Sequence, residues 1–211
     1  MQDESSPNAV DVVLAVDTTG AMGTYVTSLR RHLLVALKAL ERRVPDVRVG
    51  VVAFKDHGPE GEDACYLTRT LAPTSSREAL LEFLCSPALA LGRGGGGAEA
   101  VECALHAARG LAWRPEAHRA IVLVGDKPPH GAGLDALTGC PHGVDWRDEV
   151  EALARDGVVV HAVAVGQDLC ARRVFEYCAA RTGGACVTLR HARDVSSAVA
   201  AACLTGLAST V

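Results

Sequence analysis

Residues Val10–Met22, VDVVLAVDTTGAM, decide how this chain is read. An apolar run, Val12–Val16, passes directly into Asp17, Thr18, Thr19 and Gly20, and a long amphipathic helical pattern begins straight after. All-apolar strands that alternate with helices belong to parallel sheets covered on both faces. Such sheets bind ligands outside the carboxyl ends of their strands. A strand-end aspartate followed by hydroxyl residues therefore places hard oxygen donors at the sheet rim, the kind that Mg²⁺, Mn²⁺ or Ca²⁺ prefer. The same residue types are favoured helix N-caps, so Asp17–Gly20 equally reads as a plain helix start.

A second strand tips the balance toward a site. Arg119–Gly125, RAIVLVG, ends in Asp126 and is followed by Lys127-Pro128-Pro129-His130-Gly131. The two prolines keep the chain from continuing as strand or entering a helix at once. Asp126 is thereby expected at the sheet rim in the same layer as Asp17, and the two strand-end carboxylates with the neighbouring hydroxyls form a constellation.

These residues resemble a family. Asp17-Thr18-Thr19-Gly20-Ala21-Met22 is similar to the D-x-[ST]-G-[SA]-M opening of von Willebrand factor A domains. In the same order follow Val49–His57 (VGVVAFKDH), Gly92–Ala100 (GRGGGGAEA), Asp126–Gly131 (DKPPHG), Gly139–Gly143 (GCPHG), Val159–Gly166 and Thr182–Val187. The resemblance covers the chain from about Val10 to Leu207 and implies a metal-ion-dependent adhesion site holding Mg²⁺ or Mn²⁺. An acidic side chain of a protein partner would complete the ion's shell. Against the family pattern, Ala21 stands where a second hydroxyl is usual. With Glu99 placed on the motif's glutamate, Gly96 takes the place of an aspartate. The ion would then rest on Asp17, Thr19 and Asp126, with Thr18 and Glu99 as helpers. Lys127 follows Asp126 where a small residue is usual; its ammonium either competes with a cation or points to solvent.

Composition excludes other classes. Net charge is −4 and aromatic residues make up 4% of the chain, so neither a basic nucleic-acid footprint nor a stacking platform is present. No apolar stretch approaches the roughly 20 residues of a membrane span, and the start, MQDESSPNA, is polar and acidic, unlike a signal peptide. A cytoplasmic protein is expected, with its eight cysteines reduced. Lysine occurs only at 38, 55 and 127 while arginine abounds, which reads as bacterial coding bias. Cys103 and Cys203 fall in Ala-rich helical patterns and read as small buried hydrophobes. Cys140-Pro141-His142, with His130 nearby, is a weaker candidate for a soft metal. His57, His130 and His142 read as loop residues near the rim. The glycines at 92 and 94–97 read as a flexible rim loop without the Lys-Ser/Thr of a nucleotide loop.

The expected elements are strands at 10–16, 47–54, 64–70, 119–125, 158–165 and 184–189, and helices at 22–43, 76–85, 98–112, 146–156, 170–181 and 194–208. They imply a doubly wound, three-layer α/β fold: six mostly parallel strands, a short antiparallel edge at 64–70, and helices on both faces. Residues 1–9 read as a leader and 10–208 as one domain. The expected function is a non-enzymatic interaction module that captures an acidic protein group through a divalent cation, without nucleic acid or membrane. The alternatives are a metal-free scaffold of the same fold and, more remotely, a metal-assisted hydrolase, for which no nucleophile, base and orienting group assemble in the sequence.

Overall fold

The computed structural model describes residues 9–42, 44, 46–58, 67–89, 92, 96–132, 139–191, 194 and 201. Its sheet contains β1 (Ala9–Asp17), β2 (Asp46–Phe54), β3 (Thr68–Thr74), β4 (His118–Gly125), β5 (Val158–Val165) and β6 (Cys186–Leu189). The strand order is β3-β2-β1-β4-β5-β6. Only β3 runs antiparallel, pairing with β2; the remaining neighbours are parallel. The antiparallel edge thus sits four residues further along the chain than its sequence pattern indicates. Residues 59–66 and the helix expected at 194–208, apart from Asp194 and Ala201, lie outside the described residues. Of the expected leader, residues 1–8 also lie outside them, and Ala9 already belongs to β1, opposite Asp46.

The helices are α1 (Gly23–Glu41), α2 (Arg77–Cys85), α3 (Val101–Arg109), α4 (Trp146–Arg155) and α5 (Leu169–Thr182). They form outer layers on both faces of the sheet. On one face Val10, Val12, Leu14 and Val16 of β1 pack with Val26, Leu29 and Leu37 of α1 and with Leu80 and Leu84 of α2. On the other, Val13 and Ala15 pack with Ile121 and Leu123 of β4 and with apolar residues of α3, α4 and α5. Alternate residues of one strand feed two cores, which is why every residue of β1 is buried. The fold matches the expected doubly wound arrangement.

Local signals explain most boundaries. Ser76, Asp145 and Asp168 cap α2, α4 and α5 through side-chain oxygens that accept backbone N–H groups. Helix α5 stops at Gly183, whose φ of 80° suits a residue without a Cβ. Helix α3 is shorter than its expected 98–112. Its first residues are drawn into tertiary bonds instead, Glu99 N–H to the Pro128 carbonyl and Ala100 N–H to the Lys55 carbonyl, both at 3.0 Å.

Two buried polar features lie in the framework away from the rim. At the amino end of β1, Asp11 is fully buried and accepts from Arg48 Nε (2.9 Å), Arg114 N (2.8 Å) and Arg114 Nε (2.9 Å). Burial would raise its pKa, but the two guanidiniums outweigh burial and hold it below the ordinary value. Removing the carboxylate leaves two arginines facing each other. Asp11→Ala should therefore lower unfolding stability by about 3 kcal/mol in denaturant titration. On β5, His161 is 2% exposed, and its Nδ1 accepts the Ala185 N–H at 3.2 Å. Burial, with a smaller push from His118, depresses its pKa from 6.5 to about 4. The unfolded chain then binds a proton that the folded chain refuses, so this contribution is full above pH 6.5 and is lost as pH falls toward 4. His161→Asn keeps an acceptor for Ala185 but does not titrate. On going from pH 7 to pH 5 the urea midpoint of this variant should gain on that of the wild type, whatever the net slope the other titrating groups impose.

Candidate metal centre

The order β2-β1-β4 places the reversal of the winding between β1 and β4. That junction is where ligands bind in open α/β sheets. Asp17 ends β1, and Asp126 follows the last residue of β4. Gly125 lets them approach: a Cβ there would lie 3.6 Å from Asp17 Cβ and 3.3 Å from the Phe175 ring. Glu99 enters from the loop before α3, held by its backbone bond to Pro128. Single oxygens of Asp17, Glu99 and Asp126 lie within 4.8 Å of one another.

The arrangement does not read as a helix start. Thr19 occupies the N-cap position of a short 3₁₀ turn, Gly20–Met22, yet its side chain caps nothing. Instead, Thr19 N–H donates to Asp17 Oδ1 at 2.7 Å and fixes that carboxylate's rotamer. Four buried oxygens at this rim lack a hydrogen-bond partner: Asp17 Oδ2, Thr19 Oγ1, Glu99 Oε2 and Asp126 Oδ1. Buried polar atoms are normally satisfied. Four orphans in one small volume, all oxygens and three of them carboxylate, match the donor set of a hard divalent cation.

Electrostatics agree. Burial, reinforced by Asp126, raises the Asp17 pKa to about 7. Burial, followed by the charges of Asp17, Asp56 and Asp126, raises Glu99 to about 9. Three carboxylates this close cannot all ionise without a counter-charge.

The expected rim residues separate into groups. Asp17, Thr19 and Asp126 converge, as their positions at strand ends imply, and Glu99 is a full member of the cluster rather than a helper. Thr18 is not at the rim: its hydroxyl and its N–H both donate to the Phe54 carbonyl, at 2.8 and 2.9 Å. Lys127 neither faces the carboxylate cluster nor extends freely into solvent. Its Nζ lies 3.7 Å from Asp168 Oδ2, the cap of α5. Ala21 and Gly96 are exposed and offer no donor. A Cβ at Gly96 would lie 3.4 Å from Asp56 Oδ2, so Asp56 supplies a carboxylate beside the position the missing aspartate would fill. Asp56 also accepts from His57 N (2.7 Å) and pairs with His130 Nε2 at 3.2 Å. Sequence reasoning also missed Lys55. It is buried, and its ammonium donates to the Thr18 carbonyl at 2.7 Å and the Gly92 carbonyl at 2.9 Å, tying two rim loops together. The one available signal was a charged pair, Lys55-Asp56, directly after an apolar strand.

No family model matches the chain. Among curated proteins it is 23% identical over 146 residues to the alpha-protein kinase vwkA of Dictyostelium discoideum, covering 66% of this chain and 22% of that protein. It is 22% identical over 163 residues to a putative ariadne-like RING finger protein, R811, of Acanthamoeba polyphaga mimivirus, covering 73% of this chain and 16% of that one. The chain thus spans less than a quarter of either relative's length. Among solved structures, the pilus adhesin SpaC from Lactobacillus rhamnosus GG in its open conformation superposes with a TM-score of 0.67 at 14% identity, covering 96% of this chain and 30% of that one. This likeness establishes the fold. No helix among the described residues is long and apolar enough to cross a membrane.

The carboxylate cluster fixes a pH dependence. Asp17 and Glu99 carry folded pKa values above their ordinary 3.8 and 4.5. For a raised carboxyl the folded state holds the proton longer, so stability is full at low pH and falls as pH rises through the gap. In EDTA the wild-type melting temperature should therefore drop between pH 5 and pH 8. Asp17→Asn and Glu99→Gln should each soften that drop and at pH 8 melt roughly 2–4 °C above wild type.

Proposed function

We propose that this chain is a protein-interaction module whose rim holds Mg²⁺ or Mn²⁺ on Asp17, Thr19, Glu99 and Asp126 and presents it to an acidic group of a protein partner. The observation that carries this reading is the set of four orphaned oxygens at the β1–β4 junction. The resemblance to von Willebrand factor A domains in the order and content of the rim motifs supports it.

The charge balance fits such a role. Asp17 and Asp126 offset the two charges of the ion, and a carboxylate that replaces water adds a further oxygen ligand. Within three residues of the donors, Gly20, Ala21, Gly96 and Gly97 are exposed and carry at most a methyl group. The departures from the family pattern thus leave room for an approaching side chain. Nothing in this reading calls for catalysis, and the site's chemistry is that of binding. Six free cysteines among the described residues are in keeping with a reducing compartment such as the cytoplasm.

A second reading, a metal-free scaffold, draws on Glu99. With its pKa near 9, its carboxyl is protonated at neutral pH and can satisfy a neighbouring oxygen without any ion.

A melting experiment separates the two. Millimolar Mg²⁺ or Mn²⁺ should raise the wild-type melting temperature by a few degrees, as ligand linkage requires when the cation exceeds its Kd about tenfold. Asp126→Ala should remove that response while the far-UV spectrum stays native. Proteins captured from lysate in Mn²⁺ should be lost both with EDTA and with Asp126→Ala. No cation-dependent shift in wild type would instead establish the metal-free scaffold. Identical capture under all three conditions would move recognition away from this rim.

A further inference from the structure

Behind the rim, three segments distant in sequence bring together a different set of donors. His57 comes from the loop after β2, Glu102 and Cys103 from the first turn of α3, and Cys140 from the loop before α4. Glu102 is fully buried, Cys103 and Cys140 are 7% and 9% exposed, and His57 is half-buried. One ligand atom from each lies within 4.8 Å of every other.

The separations can be compared with the edges of a metal tetrahedron. With bonds of about 2.3 Å to sulfur, about 2.05 Å to nitrogen and about 2.0 Å to oxygen, a tetrahedral zinc ion sets S···S near 3.8 Å, S···N near 3.6 Å and N···O near 3.3 Å. Cys103 Sγ and Cys140 Sγ are 3.5 Å apart. His57 Nε2 lies 3.7 Å from Cys103 Sγ and 3.4 Å from Cys140 Sγ. It lies 3.2 Å from Glu102 Oε1. All four measured edges fall within a few tenths of an ångström of the tetrahedral values. The sulfur–sulfur distance is far beyond the roughly 2.05 Å of a disulfide.

We propose that His57 Nε2, Cys103 Sγ, Cys140 Sγ and Glu102 Oε1 form a structural zinc site, separate from the rim and independent of the reading given to it. Four protein ligands leave no open position, which marks a structural rather than a catalytic ion. Two thiolates and an imidazole select a thiophilic cation, whereas the all-oxygen rim selects Mg²⁺ or Mn²⁺. Binding releases the two thiol protons to solvent as the Zn–S bonds form.

The surroundings orient the ligands. His130 donates from its backbone N–H to Glu102 Oε2 at 3.2 Å, and its Nδ1 lies 3.0 Å from Glu102 Oε1. The His130 and His142 rings each pack edge-on against His57, at 4.9 Å between centroids. The soft-metal set read from the sequence, Cys140 with His130 and His142, is thereby corrected. Cys140 keeps its place, but its partners are His57, Cys103 and Glu102, while His130 sits behind Glu102 and His142 behind His57. Cys103 is buried and packs with Ala100 and Cys140, as its Ala-rich pattern implies, and its sulfur also faces two other donors.

The test is metal content and cobalt spectroscopy on the full chain, purified with a thiol reductant. Wild type should carry about one zinc per chain. Replacement by Co²⁺ should give thiolate-to-cobalt charge-transfer absorption and the intense visible bands of a tetrahedral ion. Cys140→Ser, on a loop, and Cys103→Ser should each weaken zinc binding by more than the roughly 100-fold that loss of a supporting second-shell group costs. Both should keep the Mg²⁺ or Mn²⁺ melting response in whatever form wild type shows it, and Asp126→Ala should keep its zinc. The cobalt titration of wild type needs no variant and stands even if a variant fails to fold. Three results would overturn the assignment: reduced wild type with no bound zinc and no tetrahedral cobalt bands, unchanged zinc affinity in both cysteine variants, or a Cys103–Cys140 disulfide that persists under the reductant.

Discussion

Negative charge withdrawn from water is the constraint around which the carboxyl end of this sheet is organised. Asp17 and Glu99 are almost fully enclosed and Asp126 is half-enclosed, with one oxygen of each within 4.8 Å of the others. Such a group is tolerated only if protons or a cation restore the balance. The neighbouring features follow from that demand. Gly125 leaves room for the Phe175 ring beside Asp17, Thr19 holds one aspartate oxygen, and Pro128 fixes the backbone of Glu99. The opposite end of the sheet solves the same problem with resident charges. Asp11 is neutralised inside the chain by Arg48 and Arg114 and needs nothing from outside. One end is self-sufficient and the other incomplete, and the incomplete one is the end the fold reserves for ligands.

Much of this was legible in the sequence because the fold rests on short-range signals. Buried runs such as Val12–Val16 and Ile121–Val124 announce parallel strands. The aspartates that close them are located by the strand ends alone. Glu99 was visible only through motif spacing, and its burial, which makes it a full member of the cluster, depends on tertiary bonds to Pro128 and Lys55. The partners of Thr18 and Lys127 were hidden for a related reason. A hydroxyl beside an aspartate looks like a ligand until the Phe54 carbonyl claims it, and a lysine next to a site looks free until Asp168 approaches from another strand–helix junction. Of the His57, Glu102, Cys103 and Cys140 cluster, the sequence marked only Cys140 as a soft-metal candidate. Its members sit on three segments, and Cys103 in an Ala-rich helix looks like any small core residue.

Two chemically distinct donor sets lie close together yet do not share atoms. Asp56 and His130 stand between them: Asp56 borders Gly96 and Glu99 on one side, and His130 reaches Glu102 on the other. Paired with both acids, His130 has its pKa raised to about 10 and carries positive charge at neutral pH. A single imidazolium thus separates an oxygen cluster from a sulfur-containing one. The partition of hard and soft cations needs no selectivity beyond that of the ligands themselves.

Lys55 gives the region a mechanical property. Its side chain crosses the interior to grip the carbonyls of Thr18 and Gly92, so the loop that follows β1 and the glycine-rich loop are joined through one rigid strut rather than through the covalent chain. A displacement of either carbonyl strains the same ammonium, which is held by one buried and one partly buried hydrogen bond. The loops respond to load as one body, in the way two beams pinned at a common joint share a force applied to either.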